Sequence, residues 1–310
     1  DIIKSLLQNA LTKEELGMYW KEFNTGGYYW YQSPIESHAL LTEAFSEINK
    51  NSQITDDLKT WLLKQKQTHN WRTTKATADA CYVLLLEGSN WLVQEPKVEI
   101  SLGSTPLNTP GRGTAGEGYF KKVIDGTKVN ASMGNISVTI SQTGQPTNQP
   151  VRSPSWGAVY WQYFEELDKI TPSATPLKLV KKLFVEKNTD RGPVLQPLKE
   201  GEALHVGDKV KVRIELRVDR SLEYVHMKDM RASSLEPVNV ISQYKWQGGL
   251  GYYESTKDAS TNFFFGYLTR GTWVFEYPLF VTHTGTFSNG VTTIQCMYAP
   301  EFTSHSEGIK

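Results

Sequence analysis

Lys209-Val210-Lys211-Val212-Arg213-Ile214-Glu215-Leu216-Arg217-Val218 alternates charged and apolar residues without a break. Successive side chains of a strand point to opposite faces, so the face from Val210 to Val218 is set to pack and the face from Lys209 to Arg217 to meet water. That is the pattern of an antiparallel sheet with one buried side, as in a sandwich. Outward from it, strand-like runs stand at Leu177–Glu186, Tyr224–Asp229, Asn262–Tyr267, Thr272–Val281 and Thr292–Tyr298. Pro278 cannot donate to a central ladder, so its strand is expected to end or lie at an edge there.

Upstream, Ile170-Thr171-Pro172-Ser173-Ala174-Thr175-Pro176 reads as a linker, preceded by strand-like runs at Val98–Leu102, Tyr119–Ile124, Ile136–Ser141 and Trp156–Glu166. Gly111, Gly113, Gly116 and Gly118 suggest a phosphate loop only superficially. The dinucleotide fingerprint joins a strand to a helix, whereas Tyr119-Phe120 opens another strand, so a flexible connection is expected.

Before Trp91 the rhythm is helical. Ser33-Pro34-Ile35-Glu36 stacks a serine N-cap, a proline at the first helical position and a glutamate placed to close a capping box. This predicts a helix to about Asn49 with Ile35, Ala39, Leu41, Ala44, Phe45 and Ile48 on its dry face. Thr55-Asp56-Asp57 suits a second helix start, followed by Leu58, Trp61 and Leu62 and ended by polar Gln65 to His69. A third helix, from about Thr74 to Glu87, is apolar around most of its girth and is expected to be central and buried, with both Cys81 and, downstream, Cys296 as buried thiols. Gly88 stops it. Helices are also expected near Asp1–Ala10 and Thr12–Phe23, joined to the rest by the aromatic loop Gly26–Gln32. Helical hairpins in series suit a bundle, a solenoid or an α/α toroid.

The 310 residues suit two or three domains. Lys+Arg and Asp+Glu are equal at 33 each, which argues against a nucleic-acid partner. The longest apolar stretch, Ala80 to Leu86, is too short for a transmembrane span, and the first residues lack a signal-peptide layout. The chain reads as soluble and, opening without Met on a helix-like run, as a piece of something longer. Two cysteines make neither a disulfide framework nor a zinc site, and His38 and His69 lack ligand-spaced companions. The sequence carries no nucleophile elbow, HExxH or CxxC, and no carboxylate pair stands out. Neither catalysis nor a cofactor is expected. The Tyr28–Tyr31 rings suit packing better than sugar stacking.

Three strings carry a resemblance: Ser33-Pro34-Ile35-Glu36-Ser37-His38-Ala39-Leu40-Leu41, Leu58 to Gln67, and Trp71 to Ala80. They resemble the closing helices of the thioester-containing toroid in bacterial alpha-2-macroglobulin-like proteins. Asn262-Phe263-Phe264-Phe265, Gly271-Thr272-Trp273, Gly285-Thr286-Phe287 and Gln295 to Phe302 resemble the C-terminal receptor-binding-like sandwich of the same family. The fold this implies is α then β: an incomplete α/α toroid (1–90), a CUB-like β portion (91–172) and a macroglobulin β-sandwich (173–310).

The function implied is that of a protease trap, an endopeptidase inhibitor and not an enzyme. A protease cuts a bait segment, the molecule rearranges, and an internal thioester acylates the attacker. The thioester needs a cysteine three residues before a glutamine, and neither Cys81 nor Cys296 has one, so that motif would lie upstream of Asp1. The implied partners are target proteases, through the full-length parent, the upstream domains of the same chain, and in some members peptidoglycan-synthesis machinery. The implied location is periplasmic, envelope-anchored or extracellular. Tyr298 and Met297, with Tyr31 and Trp30 of the aromatic loop, are the candidates for shielding the thioester or lining a domain interface. The alternative is a carbohydrate-binding or glycan-processing fragment; it would need paired acids, and Glu36, Glu43 and Asp79 read instead as cap and surface residues.

Overall fold

The computed structural model describes residues 2–24, 30–86, 96–107, 121–142, 157–199 and 201–309. Tyr28, Tyr29, Gly88, the glycines from 111 to 118, Tyr119, Phe120 and Trp156 lie outside them. The chain divides into two units, residues 1–62 with 72–157 and residues 63–71 with 158–310.

The helical part holds α1 (Ile2–Asn9), the strands β1 (Leu11–Lys13) and β2 (Gly17–Tyr19), α2 (Pro34–Ala44, prolonged by a π turn over Phe45–Asn49), α3 (Ser52–Thr68) and α4 (Thr74–Leu86). The helix expected over Thr12–Phe23 is an antiparallel hairpin, Leu11 opposite Tyr19, followed by a 3-10 turn at Lys21–Asn24. Two causes are visible. Gly17 turns at φ 71° against α3, where a Cβ would lie 2.2 Å from the Asp57 carbonyl oxygen. Met18, Tyr19 and Trp20 are then buried in succession, which a one-faced helix could not achieve.

The starts of the next helices also differ from expectation. α2 begins at Pro34, but Ser33 (φ 20°) makes no side-chain cap, and Glu36 accepts a hydrogen bond from Thr73 Oγ1 (2.7 Å) rather than closing a box. Asn51 starts α3 ahead of Thr55, its Oδ1 accepting from the Gln53 (3.0 Å) and Ile54 (3.4 Å) amides. Thr73 Oγ1 accepts from the Ala76 amide (2.9 Å) at the head of α4. α4 is not buried all round. Ala76, Ala80 and Val83 form one buried stripe while Cys81, Tyr82 and Leu85 are exposed, because the helix packs on α2 along a single face. Met18, Trp20, Phe45 and Leu58 form the centre of this core, with Ile3, Leu6 and Leu41 against them.

β3 (Pro96–Leu102), β4 (Thr105–Leu107) and β5 (Ile136–Gln142) make an antiparallel sheet in the order β4-β3-β5. Of the expected Tyr119–Ile124 strand, residues 121–124 are irregular. Residues 157–166 of the expected Trp156–Glu166 strand are also irregular and exposed: the run is rich in β-branched and aromatic residues, but none of the described strands pairs with it.

The second unit is built from β6 (Leu177–Thr189), β7 (Gly192–Pro197), β8 (Lys209–Val218), β9 (Leu222–Met230), β10 (Leu235–Pro237), β11 (Gln243–Gln247), β12 (Leu250–Lys257), β13 (Ser260–Leu268), β14 (Gly271–Val281), β15 (Thr292–Cys296) and β16 (Thr303–His305). They form two antiparallel sheets, ordered β10-β14-β8-β6-β7 and β11-β12-β13-β9-β15-β16. Val210, Val212, Ile214, Leu216 and Val218 are all buried, as the alternation of β8 predicts. They share one apolar core with Val225, Met227, Phe263, Phe265 and Ile294 of the other sheet. The strand carrying Pro278 runs on to Val281; β10 pairs with it from Val281 to Leu279, and the Val238 amide donates to the Pro278 carbonyl (3.3 Å), so the β10 ladder ends at the proline.

A polar lock crosses this core. Lys181 Nζ of β6 lies 2.7 Å from Asp229 Oδ1 of β9, both side chains fully buried. Asp229 also accepts from Thr292 Oγ1 (2.6 Å) and from the Tyr277 hydroxyl, and Lys181 donates to the Met230 carbonyl (2.6 Å). Burial, followed by the Asp229 charge, pushes the Tyr277 pKa well up, so its hydroxyl stays a donor. Charges at this depth persist because they are paired and hydrogen-bonded.

Candidate functional site

β15 and β16 are joined by a six-residue loop, Met297 to Phe302, that the two-sheet core holds from below. Ala299 and Phe302 are buried, the Cys296 amide donates to the Phe302 carbonyl (3.0 Å), and the Phe302 amide donates to the Ala299 carbonyl (2.9 Å). Met297 and Tyr298, between these anchors, point outward: Tyr298 is 77% exposed and Met297 59%. The strand expected to reach Tyr298 thus ends at Cys296.

Neighbouring residues fasten the loop. The Met297 amide donates to the Tyr224 carbonyl (2.8 Å), and the Tyr224 and Tyr298 rings meet edge to face at 5.2 Å. Cys296 Sγ donates to the Glu223 carbonyl (3.3 Å), and burial pushes its thiol pKa up, which leaves it unreactive packing. The last residues of the α3 region, 63–71, belong to the same unit and dock here. Gln67 Nε2 bonds the Glu301 carboxylate, the Asn70 amide donates to Glu223 Oε2 (2.8 Å), and the His69 ring lies 6.0 Å from that of Tyr267. His69 is therefore a contact residue of this junction.

Of the other candidates, Tyr31 is 62% exposed on a 3-10 turn, Trp30 to Gln32, and accepts a hydrogen bond from Ser33 Oγ at 3.4 Å. The Trp30 side chain lies outside the described residues. Tyr31 stands in the first unit and Tyr298 in the second.

His38 is buried in an aromatic box, 4.2 Å from the Trp61 ring and 5.8 Å from Trp20. Desolvation lowers its pKa to about 4 against the contrary pull of the Leu58 carbonyl. Cys81 is exposed, a correction to the expected buried thiol.

The arrangement around the loop is one of packing and hydrogen-bond contacts. Glu36 is tied to Thr73 and Asp79 to Lys75, and among the described residues no cluster of His, Cys, Asp and Glu could hold a metal ion. Tyr298 and Met297 are the residues singled out from the sequence; Tyr224, which the structure sets against them, carried no signal there beyond its place at the head of a strand-like run.

Solved structures of bacterial alpha-2-macroglobulins show a likeness at low identity. Trypsin-activated alpha-2-macroglobulin from Escherichia coli matches at 12% identity over 89% of this chain and 18% of that one, with a TM-score of 0.40. Salmonella alpha-2-macroglobulin reacted with methylamine matches at 14% identity over 93% and 18%, with a TM-score of 0.36. Such scores carry no argument alone, and this chain spans about a fifth of each of those chains. None of the curated proteins matches. Residues 177–301 do match the family model described as the bacterial alpha-2-macroglobulin MG10 domain, so the resemblance in the strings and the model of the two-sheet domain meet on one family, the bacterial alpha-2-macroglobulins.

Proposed function

We propose that this chain is the C-terminal portion of a bacterial alpha-2-macroglobulin-like protease trap, acting without catalysis of its own. In this reading residues 1–90 close a thioester-type α/α toroid, 91–172 are the returning part of a CUB-like domain, and 173–310 form the terminal sandwich. The match of residues 177–301 to the MG10 model carries the reading, because the exposed Met297-Tyr298 pair lies inside the matched stretch.

The physical task is to keep water from a strained thioester until a protease strikes. An apolar cover on a separate domain does this, since rearrangement of the domains lifts it at the right moment. Tyr298 and Met297 suit such a cover: they are apolar and outward-facing on a loop fixed at both ends. Trp30 and Tyr31 are proposed for the same interface. Proteases are reached through the longer parent, and upstream domains of that parent are the other partners, with peptidoglycan-synthesis machinery a further one. The proposed location is periplasmic or at the envelope; none of the described helices is long and apolar enough to cross a membrane. The glycan reading is not favoured, as Glu36 and Asp79 are engaged in helix-level contacts.

The test uses the longer protein, including the residues that precede Asp1, mixed with a protease. A protease adduct that survives boiling in detergent and reductant supports the trap. Cleavage of the protein without any such adduct overturns the covalent mechanism.

A further inference from the structure

Tyr224 lies inside β9 with φ 55°, the left-handed region that a bulky aromatic residue rarely enters. Its neighbours keep the ladder: Glu223 pairs with Tyr267, and Val225 with Phe265 on one side and Cys296 on the other. The left-handed residue shifts the phase of the strand. Leu222 and Val225, three apart, are both buried, after which Met227 and Asp229 resume the inward alternation. Glycine adopts this backbone conformation without strain, and no residue is inserted here, since Leu222–Leu268 and Val225–Phe265 keep one register. A tyrosine there, 47% exposed, contributes little burial to the core, so its ring and its carbonyl are what the position provides.

Both go to the same place. The carbonyl accepts the Met297 amide at 2.8 Å, and the ring stands edge to face with Tyr298 at 5.2 Å. Across the ladder Gly266 has open space where a side chain would stand, so the ring of Tyr224 is not displaced by a cross-strand neighbour. Strain of this kind persists only where the surroundings over-determine it, and it concentrates at functional positions.

We infer that Tyr224 is a positioning residue for Tyr298: its strained left-handed backbone presets the exposed ring so that the loop meets its partner surface already ordered. This rests on the reading of Tyr298 as a cover and adds a residue to it. Ordering in advance strengthens docking by removing the entropy cost of fixing a side chain at contact.

The experiment uses this chain as it stands. Aromatic NMR shifts of Tyr298 are recorded for the wild type, Tyr224→Phe and Tyr224→Asn, since asparagine tolerates the left-handed region. Phe should keep the ring-current shift of Tyr298 and Asn should abolish it, with the melting temperature within about 2 °C of wild type for a domain of this size. An unchanged Tyr298 shift in Tyr224→Asn overturns the inference. So does a fall of more than about 4 °C, which would make Tyr224 a residue of the fold alone. The shift is read without any thioester, so failure here leaves the cover reading standing. Failure of that reading would show separately, as an unaltered thioester lifetime in the longer protein carrying Tyr298→Ala.

Discussion

His38 offers a pH test of the helical core. Its Nε2 lies 2.9 Å from the Leu58 carbonyl, which can only accept, so Nε2 carries the proton and Nδ1 faces the aromatic box without a hydrogen-bond partner. Charging the ring would place a second N–H and a full charge among Trp20, Phe23 and Trp61. Burial is the larger influence, and the folded pKa falls from 6.5 to about 4. The unfolded chain then binds more protons between these values, so the stabilisation is fully present above pH 6.5 and is lost as the pH falls toward 4. From pH 7.5 to 5 the loss is about 2 kcal/mol, and below pH 4 it reaches about 3 kcal/mol. Denaturant unfolding followed by tryptophan fluorescence, with Trp20 and Trp61 beside the ring, measures it. His38→Gln keeps a neutral donor and should flatten that part of the pH profile. A profile equally steep in His38→Gln, or a His38 pKa at or above 6.5 by NMR, would show that the buried ring is not what weakens the fold in acid.

Three further outcomes follow from the packing. Lys181→Met should destabilise the two-sheet domain by about 3 to 5 kcal/mol by leaving the Asp229 carboxylate buried and unpaired, and Lys181→Met with Asp229→Leu should recover much of that loss in the same urea titration. Gly17→Ala should cost about 2 kcal/mol or more, since both the positive φ and the Asp57 carbonyl oppose a Cβ, and circular dichroism melting reads it. Thr73→Ala should cost about 1 kcal/mol while Ser33→Ala is nearly neutral, because only the former side chain caps its helix.

How far the sequence could be read depended on whether one local rule governed each stretch. β8 was legible to the residue because five charged and five apolar positions alternate with a single sheet face buried. β12 escaped notice because Glu254 and Ser255 are buried beside Tyr252, and a polar inward residue looks like a turn until Lys245 is seen pairing with Glu254. The Leu11–Tyr19 hairpin was hidden since Gly17 reads as a weak helix residue unless the α3 backbone beside it is known. Around the candidate site, Tyr298 stood out through the family strings, whereas Tyr224 owes its interest to a backbone angle that residue types do not announce. The sandwich-like pairing of two sheets was foreseeable from alternation; the lock from Lys181 to Asp229 joins residues 48 apart and left no local trace.

In the proposed reading the Met297-Tyr298 loop covers a reactive bond carried elsewhere in a longer parent protein. The rate at which the longer protein takes up methylamine, wild type against Tyr298→Ala and without protease, tests it most directly. Uptake should be slow in the wild type and markedly faster in the variant. Equal rates in the two, or no uptake by either, would contradict that reading.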